Sequence, residues 1–548
     1  MQDRWLTDWD FNPRFPFLTR ANAGEVLPDP VSPLGWTLVW EQGCLKGWRE
    51  SAIYDYGSNT ADEIEEHHPA AVGHHGGYLF LNGTSTRIFA VRGPGLTVEA
   101  IDAVYYGTHP DTPPYEPEPW HKNDERSEKI GAWMGGVVMA DDLPLLRDDR
   151  QLSIASRTNR PDLASLTDAQ LVVRIREQIP LIQHLFRRHL AITAASSIGP
   201  GIVGAVAAAM GDESMAMRLL SGVGDVDSAA PSHAMWALSR LDENSAEYAA
   251  GFASFLQDFG SRGPNEWDIH SETWETKPSL ANALISVMRT TPTTDAPFAR
   301  NDDRIADREQ LTAQLTDALA GDPATQGQFL AGLRSANLHL QGRERAKTNV
   351  VRPINEVRVA VRELGRRHGL SRTTVCMLLD TELEDFVANP QSFATTLADR
   401  EAGYLELFDL EPPFIINGEA PPLSQWKRRS VSTAAKAEVG DVLTGIAGCP
   451  GVATGRARVI LDPSDPFALE PGDVLIAPIT DPAWTPLFVP SSAVVVNVGA
   501  QVSHAVIVSR ELGIPCVVSV LDATNRIPDG ATITVDGTNG TVTVIAVP

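Results

Sequence analysis

The sequence predicts an α+β protein of more than one domain, and two features of its patterning support that prediction. Apolar residues recur at helical spacing from about residue 145 to residue 425, which predicts a large, mostly α-helical domain. Short β-branched runs separated by glycine turns fill residues 444–548, which predicts a small α/β domain. The 548 residues are enough for roughly two to four domains with their own cores.

The predicted boundaries follow changes in composition. Residues 1–427 form the larger domain, whose N-terminal part is expected to contain β-structure. Small and polar residues over 428–443 predict a linker, and residues 444–548 form the second domain.

Local signals within the larger domain predict individual elements. Strand-like runs are found over residues 36–105, among them 78–81 and 86–91. Ser165 and Asp168 have the spacing of a capping box at the start of a long helix, with Asp in place of Glu.

Composition excludes several classes of partner. The formal net charge of −25 disfavours a nucleic acid or an anionic membrane, because either needs a basic surface. The four cysteines are far apart and show no Cys-x-x-Cys spacing, so neither a disulfide framework nor a zinc site is indicated. No apolar signal segment is found at the N-terminus, and the apolar run 201–210 is too short to span a bilayer. We therefore expect a cytoplasmic enzyme.

The most informative stretch begins with a β-branched run, Ala493–Val496, which predicts a buried strand. Ser503 is a predicted N-cap, and a helix follows that closes at Gly513. His504 then lies in the first turn, where unpaired N–H groups and partial positive charge suit a phosphate carried on the imidazole, and Ser503 is a predicted phosphate-binding residue. Because an imidazole nitrogen is nucleophilic near neutral pH, His504 is the predicted catalytic residue. The alternative is a helix-capping histidine without chemistry.

Residues 499–515 resemble the phosphohistidine motif of the PEP-utilising enzymes, which include PEP synthase, pyruvate phosphate dikinase and rifampin phosphotransferase. The family pattern is Gly-Gly-x-x-Ser-His-Ala-Ala-Ile-x-Ala-Arg-Glu-x-Gly-Ile-Pro, and Ala500 departs from it at the second glycine. Val502 stands where PEP synthase usually has threonine, and an apolar residue there resembles the rifampin phosphotransferase branch. The resemblance extends upstream through residues 480–486, and residues 444–548 as a whole resemble the swivelling phosphohistidine domain.

Basic residues of the central region are a second candidate site. Arg343 and Lys347 are four residues apart and so share one helix face, and Arg352 continues the basic character. The segment resembles the Arg-Glu-x-x-Lys element that places two cations near the acceptor in rifampin phosphotransferase. Such cations can steady a transferring phosphoryl group or lower the pKa of an acceptor hydroxyl. The alternative is a solvated basic helix face.

The Pro-rich segment 18–34 resembles the start of the acceptor-binding domain in the same family. Asn22 and Glu25 within it are predicted to touch substrate or to tie down the backbone of the loop. The base that activates the acceptor stays open among several residues: His67, His68, His74, His75, His109 and Glu25. The two histidine pairs lack matching acidic or cysteine ligands, so no metal site is predicted.

The resemblance also indicates which family functions are not expected within these residues. No Gly-x-x-x-x-Gly-Lys-Ser/Thr loop is present. Family members carry an ATP-grasp domain ahead of the acceptor domain, and residues 1–35 already resemble the acceptor domain. We therefore expect ATP and Mg²⁺ to bind to a separate ATP-grasp protein, with no cofactor held tightly here. The chain ends soon after His504, so pyruvate and PEP are not expected as substrates.

The resemblance implies one subunit of a two-component dikinase, similar to phenylphosphate synthase and the hydroxyphenylethanone dikinases. The implied reaction is ATP + acceptor-OH + water → AMP + phosphate + acceptor phosphate, with a small phenolic acceptor expected to be bound by the larger domain. Two alternatives stay open. One is a component of a rifamycin-type antibiotic phosphotransferase, which needs a larger pocket than one phenol ring. The other is a phosphocarrier or regulatory module that passes phosphate to another protein.

Overall fold

The computed structural model describes residues 3–106, 109–212, 214–221, 227, 230–293, 296, 301–429, 434–461, 469–480, 484–499 and 503–548. Helices dominate the first domain, a small sheet lies at its N-terminal end, and a second, larger sheet is built from the C-terminal residues alone. The predicted α+β, multidomain class is confirmed.

The first domain contains short strands near both of its ends and helices between them. Its strands are β1 (Phe17–Thr19), β2 (Val72–His75), β3 (Tyr78–Asn82), β4 (Leu410–Glu411), β5 (Ile415–Asn417) and β6 (Lys427–Arg428). Its helices are α1 (Ala23–Val26), α2 (Leu45–Glu50), α3 (Gly83–Arg92), α4 (Val98–Tyr105), α5 (Asp124–Met139), α6 (Pro144–Thr158), α7 (Asp168–Ala195), α8 (Ile198–Ala209), α9 (Ser214–Leu219), α10 (Ala230–Ser239), α11 (Ala246–Phe259), α12 (Ser279–Thr290), α13 (Asn301–Ala318), α14 (Pro323–Arg367), α15 (Arg372–Val375), α16 (Leu383–Ala388) and α17 (Ala394–Leu407).

The two ends of the first domain meet in one antiparallel sheet of order β2-β3-β1-β5. Leu18 of β1 pairs with Ile416 of β5 on one side and with Asn82 of β3 on the other. Trp36 and Trp40 are almost fully buried and lie in the main hydrophobic core beside this sheet. The pairing therefore ties the Pro-rich N-terminal segment to the residues that precede the predicted linker.

Helix α14, 45 residues long, is the axis of the helical region and packs against α6, α7 and α8. The closest approach is at Gly199 of α8, where an added Cβ would lie 2.7 Å from the Cα of Ala336. Helix α14 carries Arg343 and Lys347, so this packing sets where both cations lie.

Three local predictions for the first domain are wrong. Residues 86–91 lie in α3 rather than in a strand, because the Asn82 side chain accepts a hydrogen bond from the Ser85 N–H and starts a helix there. Residues 35–55 are continuously helical, with i→i+5 turns on both sides of α2, where strand-like runs were expected. The long helix α7 is capped by Thr167, whose partner is Gln170, and not by the pair Ser165 and Asp168.

The C-terminal domain is an eight-stranded mixed sheet with short helices. Its strands are β7 (Val442–Thr444), β8 (Ile446–Cys449), β9 (Val452–Val459), β10 (Val474–Ala477), β11 (Ala493–Val496), β12 (Cys516–Val518), β13 (Thr532–Asp536) and β14 (Thr541–Ala546), in the order β7-β14-β13-β9-β10-β11-β12-β8. Strands β9 to β12 run parallel, and the other pairs are antiparallel. The helices are α18 (Thr485–Phe488), α19 (His504–Leu512) and α20 (Ala523–Arg526).

The two ends of the predicted linker belong to different domains. Arg428 lies in β6, and Val442 begins β7. Ala437 is buried in the core of the C-terminal domain and donates its N–H to the carbonyl of Arg526 at 2.8 Å. Residues 430–433 lie outside the described residues.

One stretch, residues 168–209, is long and apolar enough to cross a membrane by length and composition. It consists of α7 and α8, and the apolar face of α7 packs into the main core of the first domain. A core helix of this length passes the same test.

The close approach at Gly199 predicts opposite outcomes for two glycines of α8. Gly199→Ala should lower the free energy of unfolding by about 1–3 kcal/mol, because the new methyl group meets the α14 backbone. Gly201→Ala should leave it unchanged or raise it by about 0.4–1 kcal/mol, since nothing lies within 4 Å of its added Cβ. Urea denaturation followed by circular dichroism measures both, and equal effects would contradict the described packing.

Candidate active site at the junction of the two domains

The local geometry around His504 agrees with the sequence prediction. His504 is the first residue of α19, and the Ser503 hydroxyl accepts a hydrogen bond from the Val506 N–H at 3.4 Å. Gly513, with φ 64°, ends the helix. Strand β11 precedes this segment, so His504 lies near the carboxyl edge of the parallel strands, where α/β sheets commonly bind ligands. Residues 500–502 of the motif lie outside the described residues.

Two threonine hydroxyls lie within hydrogen-bond distance of the two ring nitrogens of His504. The Thr480 hydroxyl is 3.2 Å from Nδ1, and the Thr485 hydroxyl is 3.2 Å from Nε2. Both belong to the upstream stretch that carries the family resemblance, although sequence reasoning did not single them out. Residues 481–483 between them lie outside the described residues. Because a hydroxyl can donate or accept, this arrangement suits either tautomer of a neutral ring.

Glu25 connects His504 to the first domain. The His504 backbone N–H, at the start of α19, donates to Glu25 Oε2 at 3.3 Å. A carboxylate in this position interacts favourably with the positive end of the helix dipole. Beside this contact, an added Cβ at Gly24 would lie 3.2 Å from the side chain of Ile479, so α1 rests closely against the C-terminal domain.

Five charged side chains of the first domain form a charged centre that faces His504: Arg262, Glu266, Arg343, Glu344 and Lys347. Arg262 pairs with Glu266 at 2.7 Å, and Glu266 also lies 3.4 Å from Lys347 Nζ. Arg343 pairs with Glu344 at 3.2 Å. The centre thus contains three cations and two carboxylates, and Glu25 adds a third carboxylate at the His504 N–H.

This environment keeps the imidazole of His504 neutral. Burial lowers the pKa of His504 to about 3, and the nearby charges of Lys347, Arg262 and Arg343 act in the same direction against the opposing effect of Glu344. At neutral pH the ring therefore carries an unprotonated nitrogen, which is the form that can bond to phosphorus.

Further contacts dock the C-terminal domain on the first domain. Arg304 of α13 donates to the backbone carbonyl of Arg510 at 2.7 Å, near the end of α19. Val489 packs against the apolar cluster formed by α10, α11 and α12. His504 therefore rests at the first domain in this arrangement, held at both ends of its helix.

An interdomain cavity of about 930 Å³ opens beside this site. Its lining includes Asn265 and Trp484, which directly precede Glu266 of the charged centre and the imidazole partner Thr485. His109, one of the residues considered as the acceptor base, also lines it. Two lining residues of the cavity are thus sequence neighbours of groups that surround the imidazole.

Other sequence-predicted residues lie farther from the imidazole or serve the fold. Arg352 is buried on α14, with Nη1 at 3.5 Å from both Ser153 Oγ and Asn349 Oδ1. Asn22 precedes α1 with φ 58° and makes no side-chain capping bond. These positions show no direct contact with His504 among the described residues.

The paired histidines lie in the N-terminal core. His74 stacks on Trp36 with ring centroids 3.7 Å apart, and burial lowers its pKa to about 3. His75 is also buried, while His67 and His68 are exposed. Among the residues that the structure describes, no three His, Cys, Asp or Glu side chains group where a metal ion could be held.

His189 is a residue at this site that sequence reasoning missed. Its ring lies 5.8 Å from both Phe186 and Trp267, and its Nδ1 is buried without a hydrogen-bond partner. Burial, with added repulsion from Lys347 and Arg343, lowers the pKa of His189 to about 3. No motif marks it, because its position depends on how α7 and α14 pack.

Two family models match the chain. Residues 469–540, which include His504, match the mobile domain of PEP-utilising enzymes. Residues 188–344, which include His189, Arg262, Arg343 and Glu344, match the rifampicin phosphotransferase fourth domain.

Several curated proteins are similar to this chain. The prodigiosin synthesizing transferase PigC of Serratia marcescens is 31% identical over 313 residues, 55% of this chain and 34% of its own length. The uncharacterized phosphotransferase YvkC of Bacillus subtilis is 28% identical over 326 residues, 56% of this chain and 38% of its own. A rifampicin phosphotransferase of Streptomyces sviceus is 36% identical over 166 residues, 30% of this chain and 18% of its own.

The chain spans about a third of the length of the first two of these relatives. The matched residues 188–344 contain Arg262, Arg343 and Glu344 of the charged centre, and the matched residues 469–540 contain His504. Over these two regions the chain is similar to PEP-utilising enzymes and rifampicin phosphotransferases.

Proposed function

We propose that this protein is the acceptor-binding and phosphate-carrying subunit of a dikinase, in which His504 carries a phosphoryl group to a hydroxyl compound. The observation that supports this most strongly is the neutral imidazole of His504 placed against Lys347, Arg343 and Arg262. A phosphorylated ring in this position would bring negative charge close to these three cations.

The transfer step is a displacement at phosphorus. The acceptor oxygen forms a bond to phosphorus while the P–N bond to the imidazole breaks, and the electron pair of that bond returns to the ring nitrogen. Thr480 and Thr485 hold the ring in place, and the cations stabilise charge on the transferring group. The hydroxyl proton passes to a base, for which Glu25, beside the His504 N–H, is the candidate that the geometry offers.

We propose that His504 is phosphorylated outside residues 1–548, by a separate ATP-grasp protein that binds ATP and Mg²⁺. Docked His504 faces the first domain, so the C-terminal domain has to swing away to reach a nucleotide. The overall reaction would be ATP + acceptor-OH + water giving AMP, phosphate and acceptor phosphate. We place it in the cytoplasm, which agrees with four buried, unpaired cysteines.

A phenolic compound is the acceptor that we propose first. The cavity beside the site has an aromatic side formed by His109 and Phe414, whose rings are 4.8 Å apart. A phenol hydroxyl has a pKa near that of tyrosine, about 10, so nearby cations can bring it close to ionisation at neutral pH.

A rifamycin-type antibiotic is the second candidate acceptor. The cavity volume of about 930 Å³ favours it, because one phenol ring would fill only a small part of that space. The similarity to a rifampicin phosphotransferase points the same way. A phosphocarrier that serves another protein would not need a ligand-sized cavity beside the histidine.

Replacing His504 tests the carrier role. With an ATP-grasp partner, ATP and a panel of phenols, His504→Ala should abolish acceptor-dependent AMP release, because no other group takes up the phosphoryl in this account. The fold should persist, since His504 lies at a helix start and is not among the residues of the apolar core clusters. His184→Ala, at a half-exposed histidine of α7 paired with Asp149, is the control and should keep activity. Full turnover by His504→Ala would refute the proposal.

The charged centre predicts that substitutions within it slow phosphoryl transfer to the acceptor but not the phosphorylation of His504. Arg343→Ala and Lys347→Ala should each slow transfer to the acceptor by about 10²–10³-fold, because each removes a cation from the transferring phosphoryl group. Phosphorylation of His504 by the partner should continue, since it takes place away from the first domain.

Arg345→Ala is the matched control on the same helix, because this arginine faces Asp227 at 3.6 Å. Rapid-quench measurement of labelled phosphoenzyme formation and decay separates the steps. Equal slowing of both steps, or equal slowing in the Arg345 variant, would contradict the assigned role.

A further inference from the structure

Arg352 of α14 is a buried cation without a carboxylate partner among the residues that the structure describes. Only 6% of its surface is exposed. Its Nη1 lies 3.5 Å from both Ser153 Oγ and Asn349 Oδ1, and both contacts are longer than an ordinary hydrogen bond. A buried cation is costly unless an anion accompanies it, so this position favours a negatively charged ligand.

The charges that act on Arg352 are mainly positive. Three neighbouring guanidinium groups repel it, those of Arg150, Arg262 and Arg157. The carboxylate of Asp227 attracts it without forming an ion pair with it. Burial, together with the repulsion, lowers the pKa of Arg352 to about 10, which leaves the side chain charged at neutral pH.

Most of these neighbours already have partners. Two of the repelling arginines form close ion pairs of their own, Arg262–Glu266 at 2.7 Å and Arg157–Glu275 at 2.6 Å. Asp227 is shared, because Arg150 approaches it at 3.4 Å and Arg345 at 3.6 Å. The guanidinium groups of Arg150, Arg345 and Arg352 thus have one nearby carboxylate between them, which leaves positive charge unbalanced among the described side chains.

A second hydrogen-bond donor beside Arg352 also lacks a partner. Asn349 is 1% exposed and its Oδ1 faces Arg352, while its Nδ2 has no hydrogen-bond partner in the described part of the chain. A buried amide N–H group without an acceptor costs free energy. A guanidinium and an amide N–H group side by side are the donors that bind the oxygens of a small anion.

We propose that Arg352, Arg150 and the side-chain amide of Asn349 bind a small inorganic oxyanion, phosphate, between α6 and α14. Phosphate carries roughly one to two negative charges at neutral pH and accepts several hydrogen bonds. The site reaches the surface at Arg150, whose side chain is 41% exposed, while the other two residues are buried. Such a position suits an inorganic anion better than a phosphate ester with an organic group.

This anion site is separate from the proposed phosphotransfer. Arg352 and Asn349 show no direct contact with His504 among the described residues. Arg345 keeps its contact with Asp227 and is not part of the site.

Phosphate bound here should stabilise the first domain. Helix α6 contributes Arg150, and α14 contributes Arg352 and Asn349, so the ligand holds two packed helices together. A ligand that binds the folded chain and not the unfolded chain raises the melting temperature. Phosphate also stabilises proteins in general, so the comparison between variants carries the test.

Equilibrium dialysis of the full chain against labelled inorganic phosphate, with ionic strength held constant by chloride, tests the site. Arg352→Met should weaken binding by about tenfold or more, because it removes the buried guanidinium. Arg150→Ala should weaken it by about fivefold, since this arginine is more exposed.

Asn349→Asp is the sharpest variant, because it keeps the shape of the side chain and places a carboxylate beside Arg352. The chain then supplies the anion itself. This variant should melt at or above the temperature of the parent chain without phosphate, and it should lose phosphate binding.

Arg147→Ala is the matched control on α6, because Arg147 pairs with Asp142 and its side chain is 60% exposed. It should bind phosphate like the parent chain. Lys347→Ala tests for phosphate at the charged centre instead, and it should keep the binding that Asn349→Asp loses.

Four results would overturn the inference. One is a parent chain without saturable phosphate binding. Another is binding that is lost in Lys347→Ala and kept in both Asn349→Asp and Arg352→Met, which would place the anion at the charged centre. The others are equal loss in Arg147→Ala, and competition by phenyl phosphate as strong as that by unlabelled phosphate.

Discussion

The structure depends on a buried set of charges at the place where the two domains meet. Arg262, Arg343 and Lys347 face the imidazole of His504, and Glu266 and Glu344 neutralise part of their charge. Burying cations is costly unless each is paired, so the two carboxylates are needed for the cations to stay in place. Burial is the main cause that lowers the pKa of His504, and the nearby cations act in the same direction. In the proposed mechanism the same cations would stabilise a phosphoryl group on that residue.

Rigid elements on both sides hold this arrangement. On the first domain, α14 is pinned by its close approach to α8 at Gly199, so its cations cannot shift without disturbing the helical core. On the C-terminal domain, His504 follows a parallel strand and begins a helix, and Thr480 and Thr485 fix its ring. Contacts from Glu25 and Arg304 hold the two ends of α19. Swinging would break these few polar contacts and leave both domain cores intact.

Sequence reasoning succeeded where the signal was local. The buried strand before the motif, the cap at Ser503 and the helix end at Gly513 all follow from residues close together in the chain. It failed over residues 86–91, where β-branched and aromatic residues suggested a strand and the cap at Asn82 with tertiary packing produced a helix. His189 reaches the site through long-range packing, which no spacing rule records. The roles assigned to Asn22 and Arg352 stay predictions.

The central claim is that phosphate rests on one imidazole between its donor and its acceptor. Mass spectrometry of the peptide that contains residue 504, taken under mildly alkaline conditions during turnover with an ATP-grasp partner and ATP, tests it most directly. The account predicts phosphate on His504 that builds up without acceptor and disappears when a hydroxylated aromatic compound is added. Acceptor phosphate formed at full rate while residue 504 never carries phosphate would contradict it.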